Sequence, residues 1–331
     1  MTNLCVITPQ NRRWKIIASL FLSGFFFANG CKTSGDAAAA ATQLTATAKS
    51  LTDYYSALDT ILAETDQLNA VQEVMYGIPY DAQTKAEIAD TKAEIQKRAA
   101  LAKGLTDLAQ SFAKLTGSTA ATDASASAAK LKTEVESLKL TKNKMSSYEQ
   151  NLMKTSIDLV VTAIQEHKER EAAHGISQFT KALDDFFTKE APDYVSFDKD
   201  YVVISTSLAK TLLQKGQTDP SGFFKVALDP YGLTPEVTDP TLRSGIEKLA
   251  EAQVDQKAKA LQDSQQSATD DMEKSLKQMS DRIDLVANEK PMEARMPPVT
   301  VANVEKWASQ FSTSATPATK PSSPSPTVQN Q

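Results

Sequence analysis

Leu44, Ala48, Leu51, Tyr55, Leu58 and Leu62 fall at alternating steps of four and three. This spacing limits what the chain can fold into more than any other feature does. At 3.6 residues per turn such a row occupies one face of a helix, and that face needs another helix to cover it. Ile61, Leu68, Val71 and Met75 carry a neighbouring stripe onward, which predicts a helix from about Gln43 to Met75. Gly77-Ile78-Pro79 should end it, because glycine loosens the backbone and proline lacks a donor.

The same pattern recurs along the chain. Ile88, Ile95, Leu101, Leu105, Leu108, Phe112 and Leu115 predict a second helix from about Asp81, stopped by Thr116-Gly117-Ser118. Leu131, Leu138, Met145, Leu152 and Leu159 recur every seven residues, beside a stripe of Met153, Ile157, Val160 and Ile164. With no proline from Asp123 to Lys189, the expectation is a single helix, the longest of all, about 100 Å at 1.5 Å per residue. Gly175 is its expected kink. Tyr194, Phe197, Tyr201, Ile204, Leu208 and Leu212 keep helical spacing, although Tyr201 to Thr206 alone would also suit a strand. Asp239-Pro240 should open the last long helix, since Asp caps well and Pro fits the first turn; that helix is expected to reach about Asn288. Its segment from Gln256 to Asp271 is thinly apolar and suits a shallow contact or a solvated span. Val301, Val304, Trp307, Ala308 and Phe311 predict a short amphipathic helix, docked on the bundle or on a partner.

These readings add up to an all-α fold, an elongated antiparallel bundle with long coiled-coil-like helices and a short C-terminal helix. Sparse glycine agrees: Gly245 is the last of 11. The expected organisation is a leader at 1–30, a tether at 31–42, the bundle at 43–290, a linker and short helix at 291–313, and a disordered Pro/Ser/Thr-rich tail at 314–331.

The leader is a basic collar, Arg12, Arg13 and Lys15, followed by the apolar run Ile16–Ala28. Thirteen residues fall short of the roughly 20 that span a bilayer, and the arrangement is that of a secretory signal. Ala28-Asn29-Gly30-Cys31, with Gly before Cys, resembles a bacterial lipoprotein signal. The resemblance covers about the first tenth of the chain. It implies diacylation of the Cys31 sulfur, cleavage before Cys31 and acylation of the new amine. Lys32 stands where the family's enterobacterial members carry Asp for inner-membrane retention, which implies the outer membrane, facing the periplasm. Only Cys5 and Cys31 are present, so Cys31 would be the sole thiol of the mature chain and no internal disulfide could form. Two or more acyl chains hold a protein firmly on a membrane.

None of the 41 acidic residues and three of the 36 basic ones lie within 1–31, leaving the remainder at a net charge of −8. That charge argues against nucleic acid as a partner and against a polybasic grip on anionic lipid. No G-x-S-x-G, phosphate loop, H-E-x-x-H, EF-hand or C-x-x-C-H pattern occurs, and no enzyme, catalytic residue or cofactor is expected.

Three features could bind something. His167, Glu171 and His174 would share one face of a continuous helix and offer two imidazoles and a carboxylate to zinc or iron; a solvated charged face is the simpler reading. Asp198 and Asp200, near Asp193, could act as a cation or acid/base pair, with a solvated helix face again the simpler reading. Aromatic residues concentrate in 179–231 and would either line a ligand pocket or form the core where helices converge. The sequence therefore favours a lipid-anchored envelope module that is structural or binds another envelope protein. A ligand- or metal-binding lipoprotein is the alternative, and a pore former lacks a concealed apolar tongue of adequate length.

Overall fold

The fold is given by a computed structural model, which describes residues 32–116, 122–138, 146–219, 222, 230, 238–288 and 301–312. It is all-α, an elongated bundle whose element order is α1 (Lys32–Tyr76), α2 (Ala82–Thr116), α3 (Thr122–Ser137), α4 (Ser147–Gln165), α5 (Glu169–Gln214), α6 (Pro240–Ala287) and α7 (Ala302–Ser312). α1, α5 and α6 have 45, 46 and 48 residues, so each runs about 70 Å.

α1 is the spine and packs against α2, α5, α6 and α7. Its stripe Leu44, Ala48, Leu51, Tyr55, Leu58 and Leu62 is buried as the spacing requires. The expected tether at 31–42, a segment free to become helical, is helical from Lys32, where α1 begins, and Ala37, Ala40 and Ala41 are buried in the main core. Alanine is the best helix former and its small side chain lets helices approach closely, so Ala37–Ala41 extends the spine. Gly77 turns the chain with φ +65°. Asp81 then caps α2, its Oδ1 accepting from the Thr84 amide at 2.8 Å.

The single helix expected from Asp123 to Lys189 is not formed. α3 ends at Ser137, α4 begins at Ser147, and a second reversal separates α4 from α5 at Glu166–Lys168. At the first break Ser146 and Glu149 form a reciprocal capping box. At the second, the Lys168 amide donates to Ala163 O and the His167 amide to Ile164 O. This is a Schellman stop with His167 at φ +58° in the position glycine usually takes. Gly175, the expected kink, falls inside one continuous helix. Gly175 lies within α5, where a Cβ would stand 2.7 Å from Val160 Cγ2 and 2.9 Å from Ser156 O. It permits α4 and α5 to touch.

Helices consecutive in the chain are antiparallel. Lys132 pairs with Asp158 across α3 and α4, and Lys189 with Glu149 across α4 and α5. Lys210–Asp255 and Lys181–Asp284 join opposite ends of α5 and α6. Tyr201–Thr206 is helical, within α5. Asp239 caps α6 by accepting from the Leu242 amide at 2.7 Å. In the thinly apolar part of α6, residues 251–264 contain no buried side chain, whereas Gln265, Ala268 and Thr269 are buried. The short helix α7 lies against α1 and α6, burying Val304, Trp307, Ala308 and Phe311 in the main core. No described helix is long and apolar enough to cross a membrane.

Candidate functional site

The bundle is not equally filled along its length. Beside the first half of α1, the α3–α4 hairpin fills the slot between α2 and α5: α2 meets α3, α3 meets α4, and α4 meets α5. Gly104 of α2 sits against Leu131 of α3, where a Cβ would stand 3.0 Å from Leu131 Cδ1. Gln150 of α4 donates to Val135 O of α3 at 3.0 Å. The described residues of the hairpin reach Leu138 and Ser146, and α2 and α5 continue beyond them.

At that level a buried ion pair bridges α2 and α5. Arg98 Nε donates to Glu190 Oε2 at 2.7 Å and Arg98 Nη2 to Glu190 Oε1 at 2.6 Å, a two-pronged contact. Arg98 Nη1 donates to Glu94 O at 2.7 Å, and the guanidinium lies 5.3 Å from the Phe186 ring centre. The Tyr194 hydroxyl donates to Glu190 Oε2. Burial by itself would lower the Arg98 pKa, but the hydrogen bond and charge of Glu190 outweigh it and raise the value, so Arg98 stays charged. Burial, helped by the Glu190 charge, pushes the Tyr194 hydroxyl well up, which keeps it a neutral donor.

Beyond this pair the described residues leave an open trough of about 880 Å³. Its floor is Leu62, Thr65 and Asn69 of α1, and its walls run from Thr84 to Arg98 on α2 and from Glu190 to Ile204 on α5. Fourteen helical steps make each wall about 20 Å long. Ile88, Ile95, Phe197, Val203 and Ile204 give it an apolar bed, and six carboxylates line it against one guanidinium. Val203 is 56% exposed. Leu62 lies thirty residues along α1 from Lys32, about 45 Å away. Val74, Ile78, Leu242 and Leu249 are also exposed toward this end of the helices.

The aromatic concentration is mainly core. Phe179, Phe186, Phe187 and Tyr194 are buried. Tyr54 stacks near Phe187, Tyr194 and Trp307, with ring centres 5.4, 5.9 and 5.0 Å away. Its hydroxyl bonds Thr269 Oγ1 at 2.7 Å, tying α1 to α6. Tyr194 and Phe197 line the trough; Phe223, Phe224 and Tyr231 lie outside the described residues.

The histidine trio does not form the expected face. His167 stands in the turn before α5, so the helical register linking it to Glu171 and His174 is broken. Glu171 pairs with Lys168, and His174 Nε2 lies 3.0 Å from Gln178 Nε2. No group of three or more His, Cys, Asp or Glu among the described residues could hold a metal ion. The aspartates also part company. Asp200 and Asp193 line the trough, but Asp198 is only 1% exposed, contrary to the expected solvated face. Neither of its carboxylate oxygens has a hydrogen-bond partner, and burial pushes its pKa up to about 7. Cys31 and the leader lie outside the described residues. No family model matches the sequence, and no curated protein or solved structure is significantly similar to it.

Sequence spacing could not have disclosed the trough, which is formed by residues of α1, α2 and α5 far apart in the chain. Arg98 and Glu190 are 92 positions apart and carry no local signal of their pairing.

Proposed function

We propose that this protein is a non-enzymatic, lipid-anchored module of a bacterial cell envelope that holds a protein-binding surface away from the membrane. The observation that carries this reading is the position of α1. It starts at the residue after Cys31 and continues unbroken to Tyr76 as the helix around which the bundle packs. An acylated Cys31 would be coupled directly to the spine, so the lipid would set the height of the whole bundle.

Further support comes from the lipoprotein-like Ala28-Asn29-Gly30-Cys31 and from Lys32, which favours the outer membrane facing the periplasm. Two or three acyl chains suffice for firm attachment. The trough, about 45 Å along α1 from Lys32, puts an open, partly apolar surface near the far end. The acidic balance after residue 31 argues for protein partners over nucleic acid.

The test is membrane fractionation of the full-length protein and Cys31→Ser. The wild type should sediment with membranes, resist high salt and enter the detergent phase, and Cys31→Ser should lose detergent-phase partitioning. Equal partitioning of the two proteins would overturn the anchor.

A further inference from the structure

We propose that the trough between α2 and α5 receives a cationic amphipathic helix from a partner protein. This inference deepens the interaction reading above and rests on it for the compartment in which the partner is met.

The shape specifies a helix. In the first half of the bundle, the slot between α2 and α5 is occupied by helices, α3 against α2 and α4 against α5. The trough lies along α2 and α5 beyond the described residues of that hairpin, with α1 as floor and antiparallel helical walls. Packed helix axes lie 8–10 Å apart, and a trough floored and walled by helices seats one face of a further helix. Walls of about 20 Å match nearly four helical turns. Leu62, Ile88, Phe197, Val203 and Ile204 would receive an apolar stripe repeating at three and four residues.

Charge specifies the flanks. Glu87 and Asp90 stand on the α2 wall and Asp200 on the α5 wall. The guanidinium of Arg98 is already committed to Glu190, with both side chains nearly fully buried. An incoming helix therefore meets apolar groups at its centre and uncompensated carboxylates at its edges. Lys or Arg flanking the stripe would complement them, and an acidic helix would be repelled. The buried pair blocks the inner end, so the occupant enters from the open end or from the side.

Photocrosslinking in the cells that make the protein tests this directly. A photoreactive residue replaces Val203 or Ile88 in the full-length chain, with replacement of exposed Tyr148 on α4 as the control. The adducts are mapped by peptide sequencing. The expected adduct from Val203 and Ile88 lies in another protein, in a helix-forming segment with an apolar stripe flanked by Lys or Arg. Combining Glu87→Lys, Asp90→Lys and Asp200→Lys should cut its yield by about tenfold or more, while the Tyr148 pattern stays unchanged. If that variant does not fold, Glu87→Gln with Asp200→Asn retains side-chain size and should reduce the yield less. No trough-specific adduct, an adduct to a second copy or to the same chain, one to a neutral or acidic segment, or a yield indifferent to charge would each overturn the proposal. Trough adducts on a protein without lipid would refute the anchor alone; a lipidated protein without them would refute the docking site alone.

Discussion

Asp198 offers a sharp energetic prediction. Its carboxylate is buried near Tyr54 and Tyr201, has no hydrogen-bond partner, and has its pKa raised to about 7 by burial. In the unfolded chain an aspartate titrates near 3.9. Below about pH 4 both states hold the proton and no penalty exists. As pH rises from about 4 to 7, the unfolded state releases a proton that the folded state retains, so stability falls by about 1.4 kcal/mol per pH unit. The cumulative loss is about 4 kcal/mol, complete once pH passes the folded value. Asp198→Asn resembles the protonated acid in shape and cannot ionise. It should match the wild type near pH 4 and exceed its stability by about 2–4 kcal/mol at pH 8. Urea unfolding between pH 4 and 8 would show this as a growing gap in midpoint, of about 1 M at the alkaline end. Asp184 also titrates high, pushed up to about 6 chiefly by burial and by Asp185, so the difference between the two proteins is the proper readout. A gap independent of pH, or a less stable variant at pH 8, would refute the reasoning by showing that the charged carboxylate is well solvated or paired.

The Arg98–Glu190 bridge should behave asymmetrically: Arg98→Ala or Glu190→Ala alone costs about 3–5 kcal/mol by stranding the partner, while Arg98→Met with Glu190→Leu stays within about 1–2 kcal/mol of wild type in chemical denaturation. Gly175→Ala should destabilise by about 1–3 kcal/mol, because the added carbon meets Val160 Cγ2 at 2.7 Å and Ser156 O at 2.9 Å. An unchanged thermal midpoint would show that the α4–α5 contact is looser than described. His167→Gly should raise stability by roughly 1 kcal/mol, since glycine takes the positive φ of +58° without steric cost, and a fall would show that the imidazole has contacts worth more than the strain.

The periodicity of apolar residues disclosed helices, their faces and the all-α class, because a stripe and its burial are the same physical fact. The helix count from Asp123 onward was not disclosed by it. Leu131 and Leu152 stand three heptads apart, yet they belong to two helices folded against each other, with Leu138 just past the end of α3. One stop signal was present and overlooked: Ser146-x-x-Glu149 is a capping box. The other was concealed, because His167 occupies a position where glycine would have announced the turn.

Asp198 was also legible in part. Tyr194, Tyr201 and Val202 lie one turn to either side of it on α5, which places position 198 on the apolar face despite charged neighbours. The pairing of Tyr54 with Trp307, the Arg98–Glu190 bridge and the trough depend on which helices meet, which local sequence does not encode.

The central claim is that lipid at Cys31 is coupled to the α1 spine. Mass analysis of the N-terminal peptide from membrane-purified protein tests it most directly. The predicted peptide begins at Cys31, with a diacylglyceryl thioether on sulfur and an acylated amine. A peptide retaining residues before Cys31, or carrying a free Cys31 thiol, would contradict the claim.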